Sequence, residues 1–347
     1  MKKLFFIAAI AGVALVSCTK NEVAPIAQQD EITFLSPVVG PQTKVFGEIG
    51  ATYNTDETFD VWCVYNEGDI DEWGGTAYFS DVKATYDGAL GWALDPKYYW
   101  PATGKLSFVA LSPSLTHETT YDEANGFQIT DKWSQGADQD AIVDLMYSEQ
   151  TRNCQKASYV NGDNDNDDDS GAYKYKGVDI TFKHALSYIV FNVKTTDDYS
   201  VSTKFRLNTI TLSGVYTTGT FNQKATDPWT EDTSGATGEY VAYTNNPGLE
   251  FGNSAVAAPA AATKEIILLP QALAAGKQKI TINYQISTDN KATWIDQVQV
   301  VDIKNATVEA WEMGKKYTYT LSIGMQEILL DPAVTDWVET VGGDISF

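Results

Sequence analysis

Apolar and polar residues alternate regularly in the second half of the chain. Ile280, Ile282, Tyr284 and Ile286 alternate with threonine, asparagine and glutamine, and residues 317–323 repeat the pattern with tyrosine, leucine and isoleucine. A repeat of two residues is typical of a β-strand that turns one face to a core and the other to water. The pattern predicts antiparallel strands with one solvated face.

Residues 182–193 have a different pattern, because apolar side chains fall on both sides of the extended chain. Phe182 and Leu186 lie on one side, and Ile189 and Phe191 lie on the other. We therefore predict one strand that is buried on both faces and that begins a second domain. A helix is the alternative, which the β-branched and aromatic content disfavours.

The first half contains shorter strand patterns separated by turn residues. Residues 31–39 predict a first strand that ends at Gly40-Pro41, and residues 59–65 and 106–111 predict two more. Amphipathic helical patterns of useful length are nearly absent. We expect an all-β fold with two sandwich domains in tandem, over residues 31–178 and 179–347.

The first 17 residues have the pattern of a targeting segment. Lys2 and Lys3 precede an apolar stretch, residues 4–16, that is too short to cross a bilayer, and small residues then lead to Cys18. This resembles a bacterial lipoprotein signal, in which the cysteine is acylated and becomes the first residue. We expect a signal peptide over residues 1–17, a lipid anchor at Cys18 and a polar tether over residues 18–30. An ordinary secretory leader with an incidental cysteine is the alternative.

The net charge narrows the choice of partners. The 347 residues include 46 acidic and 24 basic ones, which gives a formal charge of −22. Such a chain repels nucleic acid and anionic lipid headgroups. An acidic, solubilising surface is the simplest interpretation, and an acidic binding surface is the alternative.

Two cysteines remain besides Cys18. Cys63 lies in an apolar strand pattern and Cys154 lies far from it in the sequence. They could pair in an oxidising compartment, but two buried thiols are the favoured interpretation.

The sequence shows no clear catalytic or metal-binding motif. It has two histidines, of which His184 is expected to be structural, and it has no spacing typical of a zinc protease, a serine hydrolase or a nucleotide-binding loop. The acidic run at residues 163–169 lacks the glycine and glutamate of a calcium-binding EF-hand loop, so a solvated loop is expected. We predict a protein without cofactor, metal or catalytic residues.

Aromatic residues are concentrated between Trp73 and Trp100. They could form a platform on which sugars stack, but packing in the core and across hairpins is the favoured interpretation.

Several motifs along the whole chain resemble one known family. They are the lipobox at Cys18, Thr43-Lys44 after the first strand, YYWP at 98–101, DLMY at 144–147, FKHALS at 182–187, LLPQ at 268–271, WEMGKKYTYTL at 311–321 and VTDW at 334–337. Together and in this order they resemble the Bacteroidales fimbrillins, the subunits of a type V pilus.

The resemblance implies two transthyretin-like, Greek-key sandwich domains and a structural role in a cell-surface fimbria that supports adhesion. Subunits of this family reach the outer membrane as lipoproteins. A surface protease specific for arginine or lysine then removes the first strand. Carried over to this sequence, cleavage falls between Lys44 and Val45, and the apolar side chains that are lost are Ile32 and Phe34.

The same resemblance implies donor-strand exchange, in which the C-terminal strand of another copy or a related pilus subunit fills the vacated groove. The donor is the tail, residues 334–347, and its candidate apolar contacts are Trp337, Val338, Val341, Ile345 and Phe347. The alternative is a surface lipoprotein that does not polymerise, or a pilus-tip adhesin that binds a glycan or a host protein.

Overall fold

The computed structural model describes residues 30–40, 51–88, 91–135, 143–156, 177–254, 256–257, 266–304, 307–325 and 328–337. All regular elements in these ranges are β-strands, which confirms the predicted all-β class. These ranges contain no helix with the length and apolarity that a membrane span requires.

The strands of the first half are β1 (Thr33–Phe34), β2 (Val38–Val39), β3 (Ala51–Thr52), β4 (Phe59–Asn66), β5 (Thr76–Asp87), β6 (Gly91–Asp95), β7 (Lys105–Ser112), β8 (Thr119–Asp122), β9 (Gly126–Ser134), β10 (Met146–Ser148), β11 (Thr151–Cys154) and β12 (Thr181–His184). Those of the second half are β13 (Ser187–Thr195), β14 (Lys204–Tyr216), β15 (Thr218–Asn222), β16 (Trp229–Glu231), β17 (Thr237–Phe251), β18 (Val256–Ala257), β19 (Ile266–Leu268), β20 (Gln271–Ala272), β21 (Lys279–Ser287), β22 (Ile295–Asp302), β23 (Ala310–Trp311), β24 (Lys315–Ile323) and β25 (Ile328–Asp336).

One large sheet organises the N-terminal part. Its strands run in the order β1-β6-β5-β4-β7-β10-β12-β2-β3, and β11 also pairs with β7. The central strands β4 and β7 are rich in apolar residues and are buried along almost their whole length. β1 and β2 are consecutive in the chain but lie near opposite ends of this order. The segment that contains both, residues 30–40, therefore connects the two ends of the sheet.

The C-terminal part has two facing sheets, in the orders β18-β13-β24-β25 and β17-β14-β21-β22. The alternating residues of β21 place Ile280, Ile282 and Tyr284 in the core between these sheets, as the sequence predicts. The expectation of antiparallel pairing holds for β21 with β22 and for β24 with β25, but on its other side β24 lies parallel to β13. Alternation alone cannot distinguish these pairings, because the side chains of parallel strands also alternate.

The prediction of one strand over residues 182–193 is wrong. The stretch forms β12, which pairs with β10 and β2 in the N-terminal sheet, and β13, which pairs with β24 in the C-terminal part. Ala185 and Leu186 connect them and are fully buried. Apolar residues on both faces therefore reflect a buried passage between two sheets, and the domain boundary after residue 178 stays a prediction.

Strands from both halves also form a sheet together. β8 and β9 pair with β15 and β16 in the order β16-β15-β9-β8. A separate hydrophobic cluster lies at this junction and includes Trp62, Phe127, Trp133, Trp229 and Trp337. The two parts of the molecule are thus joined by backbone pairing and by a buried apolar core.

Candidate functional site

The first segment, residues 30–40, is inserted between two partners. On one side β1 pairs antiparallel with β6, and the Ile32 amide donates to the carbonyl of Tyr98 at 2.8 Å. On the other side the segment runs parallel to residues 178–182. There the Val178 amide donates to the Thr33 carbonyl at 2.8 Å, and the Val38 amide donates to the Ile180 carbonyl at 3.0 Å. Removal of the segment would expose backbone groups along both sides of a groove.

Two side chains of this segment are as deeply buried as any in the core. Ile32 and Phe34 have no exposed surface. The Phe34 ring meets Phe59 and Phe108 edge to face, with centroid distances of 5.7 Å to each. Each such aromatic pair adds about 0.5–1.5 kcal/mol beyond the area that it buries. Phe34 is therefore the main apolar contact between the first segment and the N-terminal sheet.

Gly177 allows the first segment to approach its parallel partner closely. A Cβ atom at this position would lie 2.7 Å from the Phe34 carbonyl carbon and 2.8 Å from the Leu35 nitrogen. Real side chains essentially never come so close to backbone atoms, so only glycine fits without a shift. Nothing in the sequence alone marks this glycine, because its neighbour lies far away in the chain.

Two ion pairs hold the start of the segment. Asp30 lies 2.7 Å from the Lys156 ammonium, and Glu31 lies 2.8 Å from the Lys97 ammonium. The hydrogen bond that the Lys97 ammonium donates to the Glu31 carboxylate raises the pKa of Lys97 above its usual value. Both lysines are substantially exposed, so these pairs fix the geometry of the strand more than its stability.

The predicted cleavage site lies between two paired strands. β2 and β3 pair antiparallel through Val38 with Thr52 and Val39 with Ala51. Lys44 and Val45 belong to the connection between them and lie outside the described residues, as does Cys18. In the sequence, cleavage after Lys44 would separate β2 from β3.

The last described strand has a different environment. β25 lies at the edge of its sheet and pairs with β24 alone among the described strands, from Ile323 with Ile328 to Lys315 with Asp336. Leu329 and Val334 are exposed by 54% and 45%. An exposed edge strand presents backbone groups that can pair with another chain.

Trp337 directly follows this strand and is buried. Its amide donates to the Gly314 carbonyl at 2.9 Å, and its ring stacks on His184 with a centroid distance of 3.5 Å and an interplanar angle of 2°. The His184 Nδ1 atom lies 2.8 Å from the Asp144 carboxylate, which agrees with the structural role expected for this histidine. Burial raises the pKa of the Asp144 carboxyl, and the neighbouring His184 opposes that rise. Trp337 is thus docked in its own chain, while Val338, Val341, Ile345 and Phe347 lie outside the described residues.

A family model described as fimbrillin-like matches residues 43–337. The chain belongs to the fimbrillin-like family. This confirms the resemblance drawn from the sequence motifs. Membership supports a general role as a pilus or adhesion subunit at the cell surface.

Solved structures share the fold of this fimbrillin-like chain. A fimbrial protein from Bacteroides vulgatus has a TM-score of 0.55 and 16% identity, over 88% of this chain and 99% of its own. A candidate cell adhesion protein from Bacteroides uniformis has a TM-score of 0.51 and 18% identity, over 90% of this chain and 100% of its own. At such low identity these likenesses establish the fold. Among curated proteins, none matches the chain significantly.

The two remaining cysteines of the fimbrillin-like chain are buried thiols, as favoured from the sequence. Cys63 of β4 lies opposite Phe108, and Cys154 of β11 lies opposite Leu106, so β7 separates them. Strands on either side of a third are about 9.5 Å apart, whereas a disulfide needs Cα atoms within about 7 Å. The register therefore keeps the thiols apart.

The aromatic residues between Trp73 and Trp100 of the fimbrillin-like chain differ in burial, because Phe79 is buried whereas Tyr86 and Tyr99 are exposed by 37% and 36%. Trp92 and Trp100 are 2% and 5% exposed. Trp73 is half-buried and meets the Tyr121 ring at a centroid distance of 4.9 Å. The favoured core interpretation is confirmed for Trp92 and Trp100, which removes both from the alternative of a sugar-binding platform.

Metal-binding side chains do not converge within the described ranges, where no group of three or more histidine, cysteine, aspartate or glutamate residues could hold an ion. The acidic run at residues 163–169 lies outside those ranges.

Proposed function

We propose that the chain is a structural subunit of a cell-surface pilus. It is exported as a lipoprotein acylated at Cys18, cleaved between Lys44 and Val45, and joined to other copies or related subunits by donor-strand exchange. The pilus that results supports adhesion. The observation that carries this proposal is the first segment, which lies between two partners and buries Ile32 and Phe34 completely.

The arrangement suits donor-strand exchange on physical grounds. Loss of β1 would leave unpaired backbone groups beside β6 and residues 178–182, together with the apolar space now filled by Phe34. Unsatisfied backbone groups and exposed apolar surface both disfavour that state in water. A strand from another subunit restores the hydrogen bonds and the apolar contacts together. Because groove and donor lie on different surfaces, the contact repeats without closing and produces a filament.

The partners follow from this sequence of steps. The lipid at Cys18 holds the precursor at the outer membrane, and a surface protease specific for arginine or lysine releases it by cutting after Lys44. The tail, residues 334–347, is the donor, with Trp337, Val338, Val341, Ile345 and Phe347 as its apolar residues. Trp337 would leave its stacked position on His184 if the whole tail were donated.

A processing assay on soluble protein tests the proposal. The chain beginning at Thr19, which lacks the lipid, is treated with limiting trypsin and analysed by mass spectrometry and native gels. We expect the parent to give a new N-terminus at Val45 and a ladder of polymers, and Lys44→Ala to stay monomeric. Lys20→Ala is the matched control, because cleavage at Lys20 leaves the first strand attached. Identical behaviour of the parent and Lys44→Ala would contradict the role given to Lys44.

The alternative is a surface lipoprotein or tip adhesin that does not polymerise. Trp73 is the half-buried tryptophan left at the surface of the N-terminal part, where it could contribute to binding a glycan. Retention of the intact chain on immobilised polysaccharide, lost in Trp73→Ala, would favour that function.

A further inference from the structure

The tail repeats the sequence of the first strand. Glu31-Ile32-Thr33-Phe34 and Asp344-Ile345-Ser346-Phe347 have the same order of acidic, isoleucine, hydroxyl and phenylalanine side chains. In both, the two apolar residues are separated by one position and so face the same side of an extended strand. We propose that Asp344, Ile345, Ser346 and Phe347 of a second copy replace Glu31, Ile32, Thr33 and Phe34 one for one and in the same direction. The assignment rests on the proposed function, and it names the register of the donor strand.

The two apolar positions of the groove require their particular side chains. Phe34 has no exposed surface and lies between the Phe59 and Phe108 rings, so another phenylalanine restores both edge-to-face contacts. Ile32 is equally buried in the same core. Interiors are packed so closely that a residue of the same size and shape fits best. Ile345 and Phe347 provide that match, whereas Val341 differs in size from both.

The two polar positions agree with the same register. The Glu31 carboxylate lies 2.8 Å from the Lys97 ammonium, whose side chain is 56% exposed. Asp344 would place a carboxylate beside the same lysine, and the exposed lysine side chain can adjust to the shorter acid. Thr33 is 8% exposed, and Ser346 keeps its hydroxyl in less volume. The direction also matches, because the strand next to Gly177 must run parallel to residues 178–182.

A second copy, and not the same chain, provides this tail. Trp337 lies against His184, the last residue of β12, whereas Phe34 bridges Val178, six residues earlier in the chain. At about 3.3 Å per residue along an extended strand, the position beside Glu31 lies about 30 Å from His184. The segment from Trp337 to Asp344 spans at most about 25 Å, and it would also have to reverse its direction. A tail from another copy has neither restriction.

Disulfide trapping reads the register directly. Thr33 lies opposite Ala93 in the antiparallel pair of β1 and β6, so Ser346 of the donor should lie opposite Ala93. Directly opposed Cα atoms are about 4.5–5.5 Å apart, within the range of a disulfide. The protein is the chain beginning at Thr19 with Ala93→Cys and Ser346→Cys, cleaved after Lys44 and then oxidised. Burial raises the pKa of the Cys63 thiol, which keeps that native thiol unreactive.

Two matched variants control the experiment. Thr33→Cys with Ala93→Cys in the uncleaved chain should give an internal disulfide and shows that the site can be trapped. In the variant with Asp344→Cys and Ala93→Cys, the donor cysteine lies two residues from the position opposite Ala93, on the same face. The two Cα atoms are then about 7–8 Å apart, and the variant should cross-link at least tenfold less. We expect Ser346→Cys with Ala93→Cys to give a covalent ladder after cleavage and none before it.

The outcomes separate this register from the proposed function. A ladder with Asp344→Cys that is stronger than with Ser346→Cys would overturn the register while polymerisation stands. A cross-linked species of monomer mass from the Ser346→Cys protein would overturn the assignment to a second copy. Cleaved protein that forms no polymers on native gels, with or without the cysteines, would overturn the proposed function itself.

Discussion

The first and last described strands are both terminal, yet they lie in opposite environments. β1 pairs through β6 and Val178 on its two sides and buries Phe34 completely. β25 pairs with β24 alone among the described strands and exposes Leu329 by 54%. A terminal strand that lies between two neighbouring strands completes a core. The exposed side chains of a strand at a sheet edge can be substituted with little effect on the core.

Under the proposed function, this difference would make the chain stable before processing and reactive afterwards. The first segment contributes backbone pairs and core side chains that no other described strand replaces. Its loss creates a specific vacancy, because the ring contacts of Phe34 and the close approach at Gly177 define the shape of what must fill it. The exposed face of β25 adds no comparable constraint, and Trp337 is the residue through which the tail is docked in its own chain.

The largest expected difference between the strands is in core packing. Phe34→Ala should lower the free energy of unfolding of the uncleaved chain by about 3–5 kcal/mol, because it leaves a cavity between Phe59 and Phe108. Leu329→Ala on the exposed face of β25 should change it by less than about 0.5 kcal/mol. Urea denaturation of the two variants measures both values. Equal losses would contradict the contrast between the strands.

The next effect concerns Trp337, the residue that directly follows β25. Trp337→Ala should destabilise the chain by about 3 kcal/mol, because it removes the ring stacked on His184 and opens the junction cluster. Val334→Ala on β25, where the side chain is 45% exposed, is the control and should have little effect. Thermal unfolding of both variants tests this. Similar melting temperatures would show that the tail is not anchored at Trp337.

A glycine exchange sharpens the contrast without removing any side chain. Gly177→Ala should weaken docking of the first segment by about 1–3 kcal/mol, because the new Cβ meets the backbone of Phe34 and Leu35. Gly252→Ala is the control, since a Cβ atom there would have no neighbouring atom within 4 Å. Hydrogen exchange of the amides in residues 31–40 should accelerate in the first variant and stay unchanged in the second.

The smallest effect is electrostatic and should be alike at both ends. Glu31 raises the pKa of Lys97, and Asp336, at 2.5 Å, raises the pKa of Lys315. A raised lysine pKa stabilises the folded state below the ordinary value of 10.5 and loses that contribution as the pH rises through the folded-state pKa. Lys97→Gln and Lys315→Gln should therefore unfold slightly more easily than the parent at pH 8. The difference should disappear at higher pH, which urea midpoints between pH 8 and 12 would show. A difference that persists at high pH would mean that the charges are not its source.

The sequence was sufficient for elements whose signals are local. The alternation at residues 280–286 predicts a strand, which the structure contains as β21. The Asp87-Gly88 signal predicts a hairpin, which β5 and β6 form. The order of the motifs predicts the family. The sequence did not predict features that depend on contacts between residues far apart in the chain. The pairing of β9 with β15, the parallel contact of β13 with β24 and the break at Ala185-Leu186 arise from tertiary packing, which no local repeat encodes.

The residues of the candidate site also fall into two groups, those that the sequence identified and those that it did not. Ile32 and Phe34 are identified by their alternation and by the resemblance, and both lie in the N-terminal core. Gly177 and Lys97 were missed, because each acts on the first segment across a long stretch of sequence. The repeat of Glu31–Phe34 in residues 344–347 was visible in the sequence, but its meaning depends on the contacts that the structure gives to the first copy.

The most direct test of the account is the N-terminus and intact mass of the protein sheared from the surface of the cells that make it. The account predicts a polymeric chain that begins at Val45 and carries no lipid. A polymer whose chains still begin at an acylated Cys18 would mean that the first strand stays in place, and it would contradict assembly by donor-strand exchange.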